Sequence, residues 1–203
     1  MPCVLRKLSA ADGMDIYEML QELPKVENGF MNGCYGLSFP DFHQWLLTSE
    51  RAEQGIGLED WQVPQSIFWL MADGVPVGIG KLRHRLSDRL RREGGHCGYA
   101  IRPAYRNKGY GKLMLRLLAQ EAEKLGLDKL LLTVQNDNRY SIRTALANGG
   151  VIECVSDVRH YIWLRCADAR QTSPAGNATG ERQVCHTPST EKSEETIPDE
   201  KTV

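Results

Sequence analysis

Excess charge of either sign, paired cysteines and long apolar runs are all missing from this chain, and each absence removes a class of function. Lys and Arg together number 25 against 26 Asp and Glu, a net charge of -1, so no overall field favours nucleic acid or an anionic membrane as partner. A basic site has to be local. The 6 cysteines (Cys3, Cys34, Cys97, Cys154, Cys166, Cys185) stand far apart, without a CxxC pair or a Cys/His cluster. That argues against a structural metal and for reduced thiols in a cytoplasmic protein. No run of about 18 apolar residues is present to span a bilayer, and the first residues do not resemble a signal peptide. Aromatic residues make up only 7% of the chain and are absent from 171–203, where Ser, Thr, Pro, Glu and Lys prevail. Residues 167–203 are therefore expected to form a disordered polar tail, and the Asn177-Ala178-Thr179 sequon within it is read as coincidence.

What remains, residues 1–166, is expected to be one domain, long enough to bury about two-thirds of its unfolded surface. No internal repeat is visible. Val4, Leu5 and Leu8 mark a first strand, and Asp12 is expected to cap a helix whose apolar face includes Ile16, Met19, Leu20 and Leu23. Residues 24–64 carry a weaker pattern, with one helix expected from Asp41 to about Glu53 and broken by Gly55 and Gly57; such segments often wall a substrate site. Apolar runs at 66–71 and 75–82 flank Asp73-Gly74, a strong hairpin signal. An Arg-rich connection over 83–95 leads to a strand at 96–101, ended by Pro103. Helical spacing over 111–125 stops at Gly126, and the near-continuous apolar strand at 127–134 reads as central or parallel, buried on both faces. A helix from 137 or 138 to 148 and strands at 151–155 and 158–164 complete a mixed α/β pattern.

The chemistry is concentrated in Arg106-Asn107-Lys108-Gly109-Tyr110-Gly111-Lys112, between a strand and a helix. Two glycines there let several backbone N–H groups converge on an anion at a helix N-terminus, and Arg106, Lys108 and Lys112 add local positive charge. A P-loop is excluded because position 106 is Arg where glycine is needed and Leu113 replaces the metal-binding hydroxyl. A dinucleotide fingerprint fails as well, since Met114 stands where a small residue is required. A bland basic surface turn is the competing reading.

Arg106-x-x-Gly109-x-Gly111 in this context resembles the acetyl-CoA signature of the GNAT acetyltransferase superfamily. The resemblance covers roughly residues 4–164. Val63-Pro64-Gln65, Arg83-His84-Arg85-Leu86, the run from Gly95 to Pro103, Asp137-Asn138 with Ser141, and Asn148-Gly149-Gly150 make it similar to a group of predicted bacterial acetyltransferases. It implies a mixed, mainly antiparallel central sheet of about seven strands flanked by helices, splayed between its fourth (96–101) and fifth (129–134) strands. It implies acetyl-CoA as acyl donor, with the pantetheine arm on the backbone of Tyr99, Ala100 and Ile101. The pyrophosphate would lie on the N–H groups of Asn107, Lys108, Gly109, Tyr110, Gly111 and Lys112, with Asn138 and Ser141 facing the arm. Asn138 is equally a good helix cap.

The reaction implied is direct attack of a primary amine on the thioester. An amine of pKa about 10.4 must first lose a proton. His96 is the leading candidate for the base, with His84 second and Glu53, Glu59 and Asp60 also open. The family often supplies a tyrosine acid seven residues after the cofactor-facing asparagine, but position 145 is Ala. Tyr140 is the candidate named in its place, with Tyr99, Tyr161 and water as alternatives. The cluster Arg83, Arg85, Arg89, Arg91 and Arg92 could hold the cofactor 3′-phosphate or a substrate carboxylate, or simply be solvated. A small amine is the expected acceptor. A non-catalytic acyl-CoA-binding module and a protein lysine or N-terminal acetyltransferase are the competing functions, and a homodimer stays open.

Overall fold

A computed structural model describes residues 3–167; Cys185, the sequon and, beyond its first residue, the expected tail lie outside the described residues. In chain order the strands are β1 (Cys3–Lys7), β2 (Val26–Glu27), β3 (Phe30–Met31), β4 (Gln65–Ala72), β5 (Val75–Arg83), β6 (Cys97–Ile101), β7 (Lys129–Gln135), β8 (Val151–Val155) and β9 (Arg159–Arg165). The α-helices are α1 (Met14–Glu22), α2 (Phe39–Glu53), α3 (Asp88–Arg92), α4 (Tyr110–Lys124) and α5 (Arg139–Leu146). Asp73 and Gly74 take φ of 50° and 81°, the left-handed pair that a two-residue hairpin turn requires. This turn joins β4 to β5 as the sequence implied.

The strands form a four-stranded sheet, β1-β4-β5-β6, and a three-stranded sheet, β7-β9-β8, with β2 and β3 as a separate hairpin. Every pairing is antiparallel. The one central sheet expected is thus two ladders, divided between β6 and β7, where the splay was anticipated. At the foot of the division the strands are stitched together. The His96 N–H donates to the Leu131 carbonyl at 2.8 Å, and the Leu131 N–H donates to His96 Nδ1 at 2.8 Å. Gly95 makes that approach sterically feasible: at φ 60°, a Cβ would stand 2.3 Å from the Leu131 oxygen. β7 is buried on both faces, with Leu130, Leu131, Leu132 and Val134 at 0%, 3%, 3% and 7% exposure. It is nevertheless an edge strand rather than a central one, because beyond the stitch its free side meets the gap.

Two cores cover the two faces of the four-stranded sheet. On one, Phe68, Leu70 and Leu82 pack with Met114, Leu115 and Leu118 of α4 and reach the second sheet through Leu132 and Ile162. On the other, Ile67, Trp69 and Ile79 pack with α1 and α2 through Ile16, Leu20, Phe42 and Leu46. Fully burying such side chains contributes roughly 1.5–3 kcal/mol each. α4 approaches closely because Gly80 leaves room: a Cβ there would lie 2.9 Å from Met114 Sδ.

Several details differ from the expectation. Asp12 does not cap α1; the cap position is Gly13, without a side-chain bond. Asp12 is instead buried, accepting from Arg6 at 2.5 Å, the Ser9 N–H at 2.9 Å and the Trp69 indole at 2.6 Å. α2 begins at Phe39, two residues ahead of Asp41, because Ser38 caps it by accepting from the Asp41 N–H. Cys3, Cys34, Cys97 and Cys166 are free thiols, but Cys154 is disulfide-bonded, contrary to the expectation of reduced thiols throughout. Among the described residues no helix is long and apolar enough to cross a membrane.

Candidate active site

β6 ends at Ile101, and a short 3-10 turn at Pro103–Tyr105 hands the chain to α4. Asn107 and Gly109 both take left-handed φ, 60° and 85°, and a Cβ on Gly109 would meet nothing within 4 Å. Gly109 is the N-cap of α4, and the first intrahelical bond runs from the Leu113 N–H to the Gly109 carbonyl at 3.1 Å. The N–H groups of Tyr110, Gly111 and Lys112 precede it and have no helical acceptor. They form the positive end of a 15-residue helix. The unbonded N–H groups of a helix N-terminus thus stand at the position where the sequence led us to expect an anion nest.

Its side chains are deployed differently from the expectation. The Arg106 guanidinium is not left for an anion: it pairs bidentately with Glu27 of β2 at 2.9 and 2.6 Å, and its Nε donates to the Ile101 carbonyl at 3.0 Å. Lys108 turns back to the Ala104 carbonyl at 2.9 Å and lies 5.3 Å from the Tyr105 ring centroid. Tyr110 packs edge-on against Tyr105. Of the basic residues expected at the nest, exposed Lys112 is the one whose side chain remains available beside it.

A cleft of about 1150 Å³ runs from this turn along β6 and across the gap to β7 and α5, with α2 and the 57–63 segment as its opposite wall. β6 is the edge of its sheet. Its bonds to β5 use the His96 carbonyl and the Arg102 N–H, so by two-residue alternation the backbone groups of Tyr99 and Ile101 point into the cleft. Tyr99 spans the gap: its hydroxyl is 3.5 Å from Ser141 Oγ on α5, and its ring lies 3.6 Å from where a Gly111 Cβ would sit. Burial pushes the Tyr99 phenol above its ordinary value, opposed by its contacts with Ser141 and Thr144. Asn138 both lines the cleft and caps α5, its Oδ1 accepting from the Ser141 N–H at 3.1 Å.

The candidate acid-base residues are distributed unevenly. His96 is 6% exposed, and its Nδ1 already accepts from the Leu131 N–H. Burial first, then Arg91 and Arg83, lowers its pKa to about 4. It is absent from the cleft wall, so it acts as the stitch between the sheets and is poorly placed to take a substrate proton. His84 and Glu53 both bond to Ser66, with Lys7 Nζ 2.8 Å from Glu53, and none of these lines the cleft. The trio lies off the cleft wall, so it is not placed to act on a ligand bound there. Glu59 does line the cleft, accepting from the Trp61 indole at 2.5 Å. Tyr140 stands at its rim, 68% exposed, with Arg143 over its ring at 5.2 Å. Tyr161 donates to the Arg92 carbonyl at 3.1 Å, away from the cleft wall. Ala145, where the family often has tyrosine, is buried in the core.

Sequence reasoning missed one side chain and, within segments already named as candidate wall or ligand residues (24–64 and Arg89), the form of two elements. Lys81 of β5 enters the cleft, donating to the Met31 carbonyl at 2.7 Å with its Nζ 5.0 Å from the Phe30 ring centroid. Burial, then Arg83, lowers its pKa to about 8. The β2–β3 hairpin and α3 supply the other two parts of the wall; their signals were Asn28-Gly29 and Ser87.

The Acetyltransferase (GNAT) family model matches residues 31–149. More than half of the chain lies in that match, and the chain belongs to this family. Solved structures repeat the fold at low identity. The yncA protein of Salmonella typhimurium, solved with its cofactor acetyl-CoA, is 17% identical with a TM-score of 0.55, over 81% of this chain and 94% of that one. The N-acetyltransferase PseH of Campylobacter jejuni in complex with acetyl coenzyme A is 15% identical, TM-score 0.53, over 81% and 99%. A spermidine N-acetyltransferase SpeG chimera from Vibrio cholerae and hSSAT is 16% identical, TM-score 0.57, over 85% and 100%. No curated protein matches the sequence.

Proposed function

We propose that the chain transfers the acetyl group of acetyl-CoA to a primary amine of a small molecule, by direct attack within a ternary complex. The turn at 107–112 carries this reading, because its unbonded N–H groups open onto the same cleft as the outward edge of β6. The residues fit a diphosphate: left-handed φ at Asn107 and Gly109, free space above Gly109, and Lys112 alongside. Backbone N–H groups of Asn107 to Lys112 would hold the pyrophosphate, the edge of Tyr99 to Ile101 the pantetheine amides, and Asn138 with Ser141 the opposite side. When bound, acetyl-CoA supplies an electrophilic thioester carbon. An outward N–H of β6, that of Tyr99, is suited to polarise a carbonyl there, as an oxyanion-hole donor does.

Tyr99, held protonated by burial, is better placed than rim-exposed Tyr140 to donate a proton in the cleft. Glu59 is the cleft-lining carboxylate among the candidate bases, and it accepts the amine proton directly or through water. Tyr99→Phe is expected to lower kcat about tenfold and Glu59→Gln about 100-fold at unchanged acetyl-CoA affinity; wild-type rates in either variant remove that residue from the mechanism. Calorimetric titration followed by release of CoA thiol over an amine panel tests the whole reading. Wild type should bind acetyl-CoA and turn over a small amine, while Gly109→Val, forced into left-handed φ at a cost of about 1–2 kcal/mol, should lose binding. Unchanged affinity in that variant refutes the clamp. Binding without turnover of any amine would identify a non-catalytic acyl-CoA-binding module, and turnover of peptide amines alone a protein acetyltransferase.

A further inference from the structure

The end of the cleft farthest from the 107–112 turn has a charge pattern that the donor does not use. Four cations line it, Lys81, Arg83, Arg89 and Arg159, against two carboxylates, Glu59 and Glu93. Arg159 is neutralised by Glu93, and Glu59, which accepts from the neutral Trp61 indole and keeps its charge, is left for the amine. Lys81, Arg83 and Arg89 have no carboxylate partner among the described residues. Each is nevertheless held in place. Arg83 Nη1 donates to the Gly94 and Gly95 carbonyls at 2.9 and 3.0 Å, which leaves its other nitrogens free. Arg89 lies 4.4 Å from the Trp61 ring centroid, and Lys81 is fixed by the Met31 carbonyl and Phe30.

We propose that the acceptor carries an anionic group in addition to its amine, a carboxylate or phosphate monoester held by Arg83 and Arg89 with Lys81 beside them. This rests on the acetyltransfer reading and narrows it. The alternative use for these cations, the 3′-phosphate of the donor, requires them near the phosphate nest. Arg83 lies at the other end of β6, adjoining Gly94 and Gly95 before the strand, with Lys81 opposite Gly98 in its first half, and the nest follows Ile101 after it. Five strand residues separate the two ends by about 15 Å. The electrostatics agree with this placement, since Arg83 helps depress Lys81 and burial depresses Arg83 itself; an anion among them offsets both. A polyamine acceptor would face the same repulsion.

CoA release at saturating acetyl-CoA is measured with four primary amines: β-alanine, phosphoethanolamine, propylamine and putrescine. The expected result is a kcat/KM at least about tenfold higher for one or both anionic amines than for propylamine, the effect of one charge-assisted hydrogen bond, with putrescine poorest. The β-alanine to phosphoethanolamine ratio separates carboxylate from phosphate. Exposed Arg89→Gln, chosen because Arg83 also supports the fold, should reduce the anionic-to-neutral preference about tenfold. Equal or better use of propylamine or putrescine overturns the inference and leaves the acetyltransfer reading standing. So does an Arg89→Gln variant that weakens acetyl-CoA but not its 3′-dephospho form. If acetyl-CoA binds and no amine is turned over, the acetyltransfer reading fails first. Trp fluorescence titration with N-acetyl-β-alanine against N-propylacetamide then decides the inference alone: saturable binding of the anion, lost in Arg89→Gln, supports it, and no preference refutes it.

Discussion

Burial first, then Arg91 and Arg83, depresses the folded-state pKa of His96 from 6.5 to about 4, and its neutral Nδ1 accepts from the Leu131 N–H. The stability it contributes is therefore complete above pH 6.5 and is lost as pH falls from there toward 4, on the order of 2 kcal/mol. His96→Asn offers Oδ1 as an acceptor for the same N–H without a titrating ring. Denaturant midpoints of that variant should lose their slope between pH 6.5 and 4, while its pH-rate profile matches wild type; an altered rate profile would restore His96 as a base. Residue identity showed a titratable group at a strand entry. It could not show that the Nδ1 lone pair is committed to a backbone amide 35 positions away. Arg106 was misread for the same reason, its partner Glu27 being 79 positions distant.

Elements with a local signal were legible and those without one were not. The β4–β5 turn, α4 with the turn before it, and α5 with its Asn138 cap follow from short-range rules, and the last two make up the proposed donor half of the site. The β2–β3 hairpin has a local signal too, with Asn28 and Gly29 at φ 50° and 80°, but its strands are two residues each, too short to show alternation. The junction of β6 with β7 depends on Gly95, whose Gly94-Gly95 context signals a turn but not the strand it will meet. Gly95→Ala must move a Cβ away from an oxygen 2.3 Å off while keeping left-handed φ. It is expected to destabilise the fold by about 2–4 kcal/mol, and it should lower acetyl-CoA affinity by altering the gap between the strands. A variant with native stability would show that the two ladders can part at that point at no cost. By contrast, Gly111→Ala meets only ordinary contact with Tyr99 at 3.6 Å and should fold normally.

Across the whole molecule, a ligand that bridges two sheets stitched at one end stabilises both. At a free concentration of 100 times Kd, acetyl-CoA should add about 2.7 kcal/mol to unfolding, measured by thermal or denaturant midpoints. Hydrogen-exchange protection should rise at Tyr99 to Ile101, at Tyr110 to Lys112 and at the start of α5 together. Protection confined to the 107–112 turn would mean that the donor does not cross the gap. The last described strand, β9, ends at Arg165, and the family match stops at residue 149.

The small β2–β3 hairpin is tied at two points that, on the proposed assignment, belong to different ligands. Glu27 fastens it to Arg106 at the donor turn, and the Met31 carbonyl fastens it to Lys81 at the acceptor end. It therefore acts as a shared keystone between two binding events. Any factor by which an occupied acceptor end tightens or loosens the donor through this hairpin must be returned unchanged in the opposite direction.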